Sequence, residues 1–262
     1  MKLSRLLTLA FFLLSYSAFA QQWNKKQAAV VLTYDDALNT HLDQVVPVLD
    51  SFHLKGTFFL TAASPAFTKR LSEWKKVVAN KHELANHTLF HPCNGSQPGR
   101  GFVTPDYDLA TYSVRRITDE IRMTNAVLQA LDGKKERTFA YPCGDTTVDG
   151  KPYMEELKGD LVAARGVHGE LVPQGPTDLY NVGSFMINGQ TGEELIKLVK
   201  QAEKNKSMIV FLFHGVGGEH SLNVSLEAHR QLLQYLKANE KTLWNPTFIE
   251  AANFIRASGN KK

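Results

Sequence analysis

Short apolar runs, unbroken rather than alternating, recur along this chain and are separated by helical patterns. The runs are AAVVLTY (28–34), KGTFFLT (55–61), ERTFAYP (136–142), DLVAARGV (160–167), LYNVGSFMI (179–187) and MIVFLFHG (208–215), with KHELANH (81–87) a weaker candidate. A strand apolar on both faces must be covered on both faces, which is the condition of a parallel sheet with helices outside. The intervening segments 40–53, 64–80, 108–131, 191–205, 225–239 and 247–258 read as helices. Leu71, Trp74, Val77 and Val78 share a face of the second, and Ile117, Ile121, Val127 and Leu128 a face of the third. Gly133 stops the third, and Thr191-Gly192-Glu193-Glu194 opens the fourth as a capping box. Strand–helix alternation without an internal repeat or a linker predicts a single α/β domain over residues 21–262.

The N-terminus has its own pattern. MKLSRLLTLAFFLLSYSAFA carries Lys2 and Arg5, an apolar core from Leu6 to Leu14, and the small-x-small triplet Ala18-Phe19-Ala20. This predicts a signal peptide over 1–20, with export to a periplasm or the cell exterior. An uncleaved anchor is the alternative, although the apolar stretch is short for a bilayer span. The formal net charge of +4 falls to +2 once Lys2 and Arg5 leave, which is no signature of a nucleic-acid binder. No later apolar run is long enough to cross a membrane, and the oligomeric state is not legible. Two cysteines, Cys93 and Cys143, allow one disulfide after export or two free thiols.

Chemistry is written at the ends of the runs, where parallel α/β folds place their active sites. The first run closes on Asp35-Asp36. Successive strand residues point to opposite sides, so the two carboxylates can take different tasks, one on a metal and one beside it. They can equally cap the helix that follows. HELANHTLFHP (82–92) places His87 and His91 four apart. On one helical turn such a pair can seize a metal, or it can sit on a solvated helix end; Pro92 stops the turn there. His82 reads as a loop residue before the strand. FLFHG (211–215) sets His214 at the end of the most apolar run, a place for a general acid, although a lone histidine in such a run is commonly a satisfied core residue. FAYPCGD (139–145) ends another strand in Pro142-Cys143-Gly144, a turn able to aim backbone N–H groups at a developing oxyanion. Together these strand ends read as one site.

In their order, TYDDA (33–37), HELANHTLFHP (82–92), FAYPCG (139–144) and FLFHG (211–215) resemble the polysaccharide deacetylase family, carbohydrate esterase family four, whose domain is shared with nodulation-factor chitooligosaccharide deacetylases. The resemblance implies a distorted (β/α) barrel of about seven parallel strands with outer helices. It implies a divalent metal on Asp36, His87 and His91, Zn2+ by preference and Co2+ or Ni2+ as alternatives. Asp35 would be the general base, His214 the acid that protonates the leaving group, and the Cys143 N–H in the Pro142 turn an oxyanion donor. Phe211, Leu212 and Phe213 would line the pocket for the acetyl methyl group. The implied activity removes acetyl groups from a polysaccharide or oligosaccharide, N-deacetylation of N-acetylhexosamine units being preferred to O-deacetylation of xylan. The rival is a catalytically silent carbohydrate-binding barrel. No Gly-x-Ser-x-Gly elbow supports a serine esterase.

The chain departs from the family pattern at named places. The third motif usually carries an arginine two residues before its proline, and here that residue is Ala140. Arg165, at the end of the following strand, is the candidate substitute that would orient Asp35; a surface or salt-bridged role is the alternative. The fourth motif, an aspartate near a tryptophan, has no clear counterpart, and Asp178 in PTDLYNVG is the candidate partner for His214. Ala37 replaces the glycine after the aspartate pair. If both cysteine-bearing motifs line one pocket, Cys93 and Cys143 are placed to bond and staple the long loop 92–108 to its rim. Cysteine as a fourth metal ligand is disfavoured, because it would close the open coordination position. GVGGEHSLN (215–223) reads as a flexible rim loop with Glu219 and His220 exposed.

Overall fold

The structure is a computed structural model describing residues 23–259; the expected signal peptide lies outside the described residues. Eight strands form one sheet: β1 (Ala28–Asp35), β2 (Thr57–Leu60), β3 (Glu83–Asn86), β4 (Thr138–Ala140), β5 (Ala163–Arg165), β6 (Phe185–Met186), β7 (Met208–Phe213) and β8 (Leu243–Trp244). The order is β5-β4-β3-β2-β1-β7-β6, with β8 beside the start of β1, and all pairings are parallel. The sheet curls into a half-barrel whose two edges approach where Arg165 pairs with Val182. This is the distorted (β/α) barrel of seven parallel strands, with β8 as a short addition.

Among the described residues the longer helices flanking the sheet are α1 (Val46–Phe52), α2 (Leu71–Ala79), α3 (Val114–Asp132), α4 (Gly192–Asn205), α5 (Leu226–Ala238) and α6 (Phe248–Gly259). Their starts follow local chemistry. The Ser113 hydroxyl accepts the Arg116 N–H at α3, and both reciprocal bonds of the capping box form at Thr191 and Glu194. Gly133 ends α3 with φ +74°, as a residue without Cβ can. The helix expected over 64–80 is divided: a single turn, Pro65–Thr68, precedes α2, and Arg70 between them is non-helical. The run 179–187 leaves only Phe185–Met186 in the sheet.

Strand alternation sorts the core into layers. Ala28, Val30, Leu32 and Tyr34 of β1 pack with Leu49, Trp74, Leu195 and Leu232 of the helices. Ala29 and Val31 face the other way, with Phe59, Ala85, Ala140, Ala163 and Val210, over which Phe248 and Ala251 of α6 close. Two-residue periodicity therefore carries Asp35 onto the inner face and Leu212 of β7 with it. Phe211 and Phe213 belong to the outer layer, Phe213 stacking on Tyr34 at 5.4 Å. The expectation that all three residues of Phe211–Phe213 line the pocket is thus corrected to Leu212 alone. Trp23 and Trp74 are buried and donate to the carbonyls of Lys206 (2.9 Å) and Ala66 (3.0 Å), so both are structural. Among the described residues no helix is long and apolar enough to cross a membrane.

Candidate metal centre and active site

A cleft of about 660 Å3 opens at the carboxyl ends of the strands, and Asp35, Asp36, His87, His91, Cys143, Leu212 and His214 all line it. Both aspartates reach it because the chain leaves β1 through two left-handed residues, Asp36 (φ +79°) and Ala37 (φ +57°). Left-handed backbone is unfavourable for side-chain-bearing residues and persists where the surroundings enforce it. Here the Asp36 N–H is held by the Phe59 carbonyl (3.1 Å) and the Ala37 carbonyl by the Ser64 hydroxyl (3.0 Å).

The histidine pair is presented by a turn, not by the helical turn expected of the spacing. Thr88 (φ +64°) and His91 (φ +56°) are left-handed, the Asn86 carboxamide accepts the Thr88 N–H (2.8 Å), and the Thr88 hydroxyl accepts the His91 N–H (2.8 Å). The rings meet edge to face with centroids 4.7 Å apart. His82 turns away, accepting the Gly56 N–H on Nδ1 and meeting Asp50 at 3.0 Å, which leaves it a structural role.

The donor set fits a divalent cation. Nε2 of His87 and Nε2 of His91 each lie 3.4 Å from the same oxygen, Oδ1 of Asp36. His87 donates its Nδ1 proton to the Ala140 carbonyl (2.9 Å), which turns Nε2 toward that carboxylate; burial opposes charge on the ring, but Asp35 and Asp36 outweigh it and raise its pKa while no metal is bound. Oδ1 of Asp36 is buried and has no hydrogen-bond donor. Two ring nitrogens and a carboxylate oxygen converging this closely form a donor set for a divalent cation, and two imidazoles with one carboxylate leave coordination positions open. Burial opposes the charge on Asp36, but His87, His91 and His214 hold it well below the usual carboxylate range. Burial also pushes His91 down to about 4 despite Asp36, so its ring is neutral at physiological pH.

Asp35 lies beside this set, its Oδ2 3.8 Å from His87 Nε2 and its Oδ1 buried without a partner. Oδ2 accepts a charge-assisted hydrogen bond from Arg165 Nη2. Arg165 is fully buried, donates through Nη1 to Ser184 Oγ and the Gly166 carbonyl (3.2 Å each), and lies over the Phe59 ring at 5.0 Å. Ala140 and Arg165 are direct register partners on β4 and β5. An arginine on β5 thus reaches Asp35 from the position beside Ala140 on β4.

Across the cleft, His214 Nε2 lies 3.9 Å from Asp36 Oδ2, and its Nδ1 is buried without a partner. Burial lowers its pKa in spite of Asp35 and Asp36. Asp178 does not orient it. The Asp178 carboxylate accepts the Tyr180 N–H of its own turn (2.9 Å) and lines a separate cavity with His168 and Asn181. The strand end is fixed instead by buried His41, which donates through Nε2 to the His214 carbonyl (2.8 Å). Cys143 is left-handed (φ +54°), bonded to Cys93, and its N–H makes no hydrogen bond among the described residues. The disulfide also removes both sulfurs from metal ligation. Pro142 is buried and is not among the residues lining the cleft, whereas Tyr141 is.

Sequence reasoning missed His220, which lines the cleft and stacks on His214, and the apolar rim residues Phe102, Val167 and Met186. Phe102 and His220 lie in loops, and Val167 and Met186 close short runs with apolar side chains, so no motif marked them as cleft residues. Glu219 is not a free rim residue either: its carboxylate accepts the Thr40 N–H (2.6 Å) and the Asn39 side-chain amide (2.7 Å).

Comparison with known proteins agrees with this geometry. The sequence profile of the polysaccharide deacetylase family matches residues 22–161. Peptidoglycan-N-acetylmuramic acid deacetylase PdaA of Bacillus subtilis is 27% identical over 124 residues, 45% of this chain and 39% of that protein. YlxY of the same organism is 27% identical over 106 residues, 40% of this chain and 28% of that one, so the matched stretch spans well under half of either relative. The structure of B. subtilis PdaA, a family 4 carbohydrate esterase, superposes with a TM-score of 0.57 at 18% identity, covering 92% of this chain and 86% of that chain. A family 4 acetyl xylan esterase from Clostridium thermocellum, solved with a cobalt ion, gives 0.54 at 20% identity over 86% and 91% of the two chains. These structural likenesses bear on the fold, and the profile match covers just over half of the sequence. By that match, and with the four motifs gathered at one mouth of the curled sheet, the chain belongs to the polysaccharide deacetylase family.

Proposed function

We propose that the protein is an exported, metal-dependent hydrolase that removes acetyl groups from a polysaccharide or oligosaccharide, with N-acetylhexosamine units as the preferred substrate. The observation that carries the reading is the convergence of Asp36, His87 and His91 on one point, flanked by Asp35 and His214. A divalent cation, Zn2+ by preference, would polarise the acyl carbonyl and acidify water when bound. Asp35, anchored through one oxygen by Arg165, has its other oxygen free to take a proton from the attacking water. Cys143 lines the cleft and its N–H is unengaged, so it is the candidate donor to a developing oxyanion. Leu212 offers an apolar seat for the acetyl methyl, and His214 donates a proton to the departing nitrogen.

Two features favour active chemistry over a silent binding barrel: Arg165 bonds Asp35 although Ala140 stands where the family usually has arginine, and Asp36, His87 and His91 bring three donor atoms together. The amide preference rests on the B. subtilis relative, named for deacetylation of peptidoglycan N-acetylmuramic acid. The structural neighbour named an acetyl xylan esterase keeps the ester in view. Export rests on the N-terminal pattern, together with a disulfide of the kind oxidising compartments favour. The test measures acetate released from chitooligosaccharides and from acetylxylan by purified protein, with chelator, and after Zn2+ is restored. Release from the first substrate, abolished by chelator and recovered with Zn2+, is expected. Sugar binding without acetate release would leave the silent barrel.

A further inference from the structure

We infer that His220 is a positioning residue for this centre, its ring fixing His214 and its Nε2–H facing the outer oxygen of Asp36. The two imidazoles stack nearly flat, with centroids 4.6 Å apart and planes 11° apart. His220 Nδ1 accepts the Leu222 N–H at 3.0 Å and lies 3.3 Å from the Leu222 carbonyl; the shorter contact assigns the ring proton to Nε2, which lies 3.6 Å from Asp36 Oδ2. The two oxygens of Asp36 thus face different company. Oδ1 meets His87 and His91, and Oδ2 meets His214 and His220. At 3.6 Å, longer than a direct hydrogen bond, the His220 Nε2–H acts on Oδ2 through its dipole and leaves Oδ1 for the cation, as outer partners orient metal ligands generally.

The loop holding His220 is constructed, not slack. Gly215 N–H donates to the Leu222 carbonyl (3.0 Å), Gly217 N–H to the Val224 carbonyl (2.8 Å) and Gly218 N–H to Asn223 Oδ1 (2.9 Å). Gly217 (φ +79°) and Gly218 (φ +134°) make the bend that brings the chain back over the cleft, and the Glu219 bonds to residues 39 and 40 latch it. His214 Nδ1 has no hydrogen-bond partner and Asp178 lies elsewhere, so the ring stacked against it is placed to limit its rotation.

The inference deepens the proposed reading and rests on it for its turnover arm alone. Wild type, H220A, H220Q and H220F are stripped of metal and titrated with Zn2+ against a chromophoric chelator. Acetate release from chitooligosaccharides is then measured at saturating Zn2+. H220A should bind Zn2+ about ten- to a hundredfold more weakly, the range seen when an outer partner is lost, and turn over more slowly at unchanged KM. H220Q, which keeps an N–H donor, should recover affinity but not turnover; H220F, which keeps the ring, should recover turnover but not affinity. H220A matching wild type in both, or neither variant recovering anything, overturns the assignment. The titration needs no substrate, so a wild type that releases no acetate counts against the deacetylase reading and leaves the affinity pattern to judge His220.

Discussion

Replacing Arg165 with methionine removes the guanidinium while keeping much of the stem's volume. It leaves Asp35, 3% exposed, without the cation that holds its Oδ2. Because both partners are buried, the pair is not discounted for solvent screening. Breaking such a pair from one side costs about 3–5 kcal/mol, since the remaining charge stays buried and uncompensated. For a domain of this size that corresponds to a fall in Tm of roughly 6–20 °C, read by calorimetry. Neutralising both partners in D35N/R165M should recover part of the loss, because an amide needs no counter-ion. Turnover of R165M should fall about a hundredfold, the scale of a small misplacement of a catalytic group, with Zn2+ binding retained. An R165M variant with wild-type Tm and wild-type turnover would refute the reasoning, and a double variant losing the full sum of the single losses would show that the two residues are not coupled.

Other outcomes follow from the same geometry. Converting Cys93 and Cys143 to serine should cost about 4 kcal/mol in denaturant melts, because the bond closes a loop between residues 50 apart; an unchanged midpoint would mean that the unfolded chain is not constrained by it. Burial holds His41 at about 4 and His229 at about 3, both below the ordinary histidine value, so the unfolded chain binds protons the folded chain refuses. Stability is therefore full above about pH 6.5 and lost as pH falls from there toward 4, and urea titrations between pH 7 and pH 4.5 that show no decline would contradict this. D178A should keep acetate release within twofold of wild type, whereas a drop as deep as that of R165M would restore Asp178 to the site.

How much of this was legible beforehand can be traced residue by residue. Unbroken apolar runs announced a parallel sheet because the pattern records two-sided burial, which is a local property of each strand. β8 escaped because two residues carry no periodicity. The candidate ligands Asp36, His87 and His91 were legible as motifs at strand ends, but the form of their presentation was not. A four-residue spacing suits a helical turn and a left-handed turn alike, and only the hydrogen bonds around Asn86 and Thr88 select the second.

The amino-acid order alone determined the layered α/β architecture, the places where chemistry could sit, and the groups available there, since alternation, capping and charge are short-range facts. Tertiary structure alone decided which distant groups meet: that Arg165 crosses from β5 to Asp35 beside Ala140, that Asp178 stays in its own turn, and that His220 folds back onto His214. Such encounters depend on strand register and on loops closing through glycine. Neither leaves a mark in the spacing of residues along the chain.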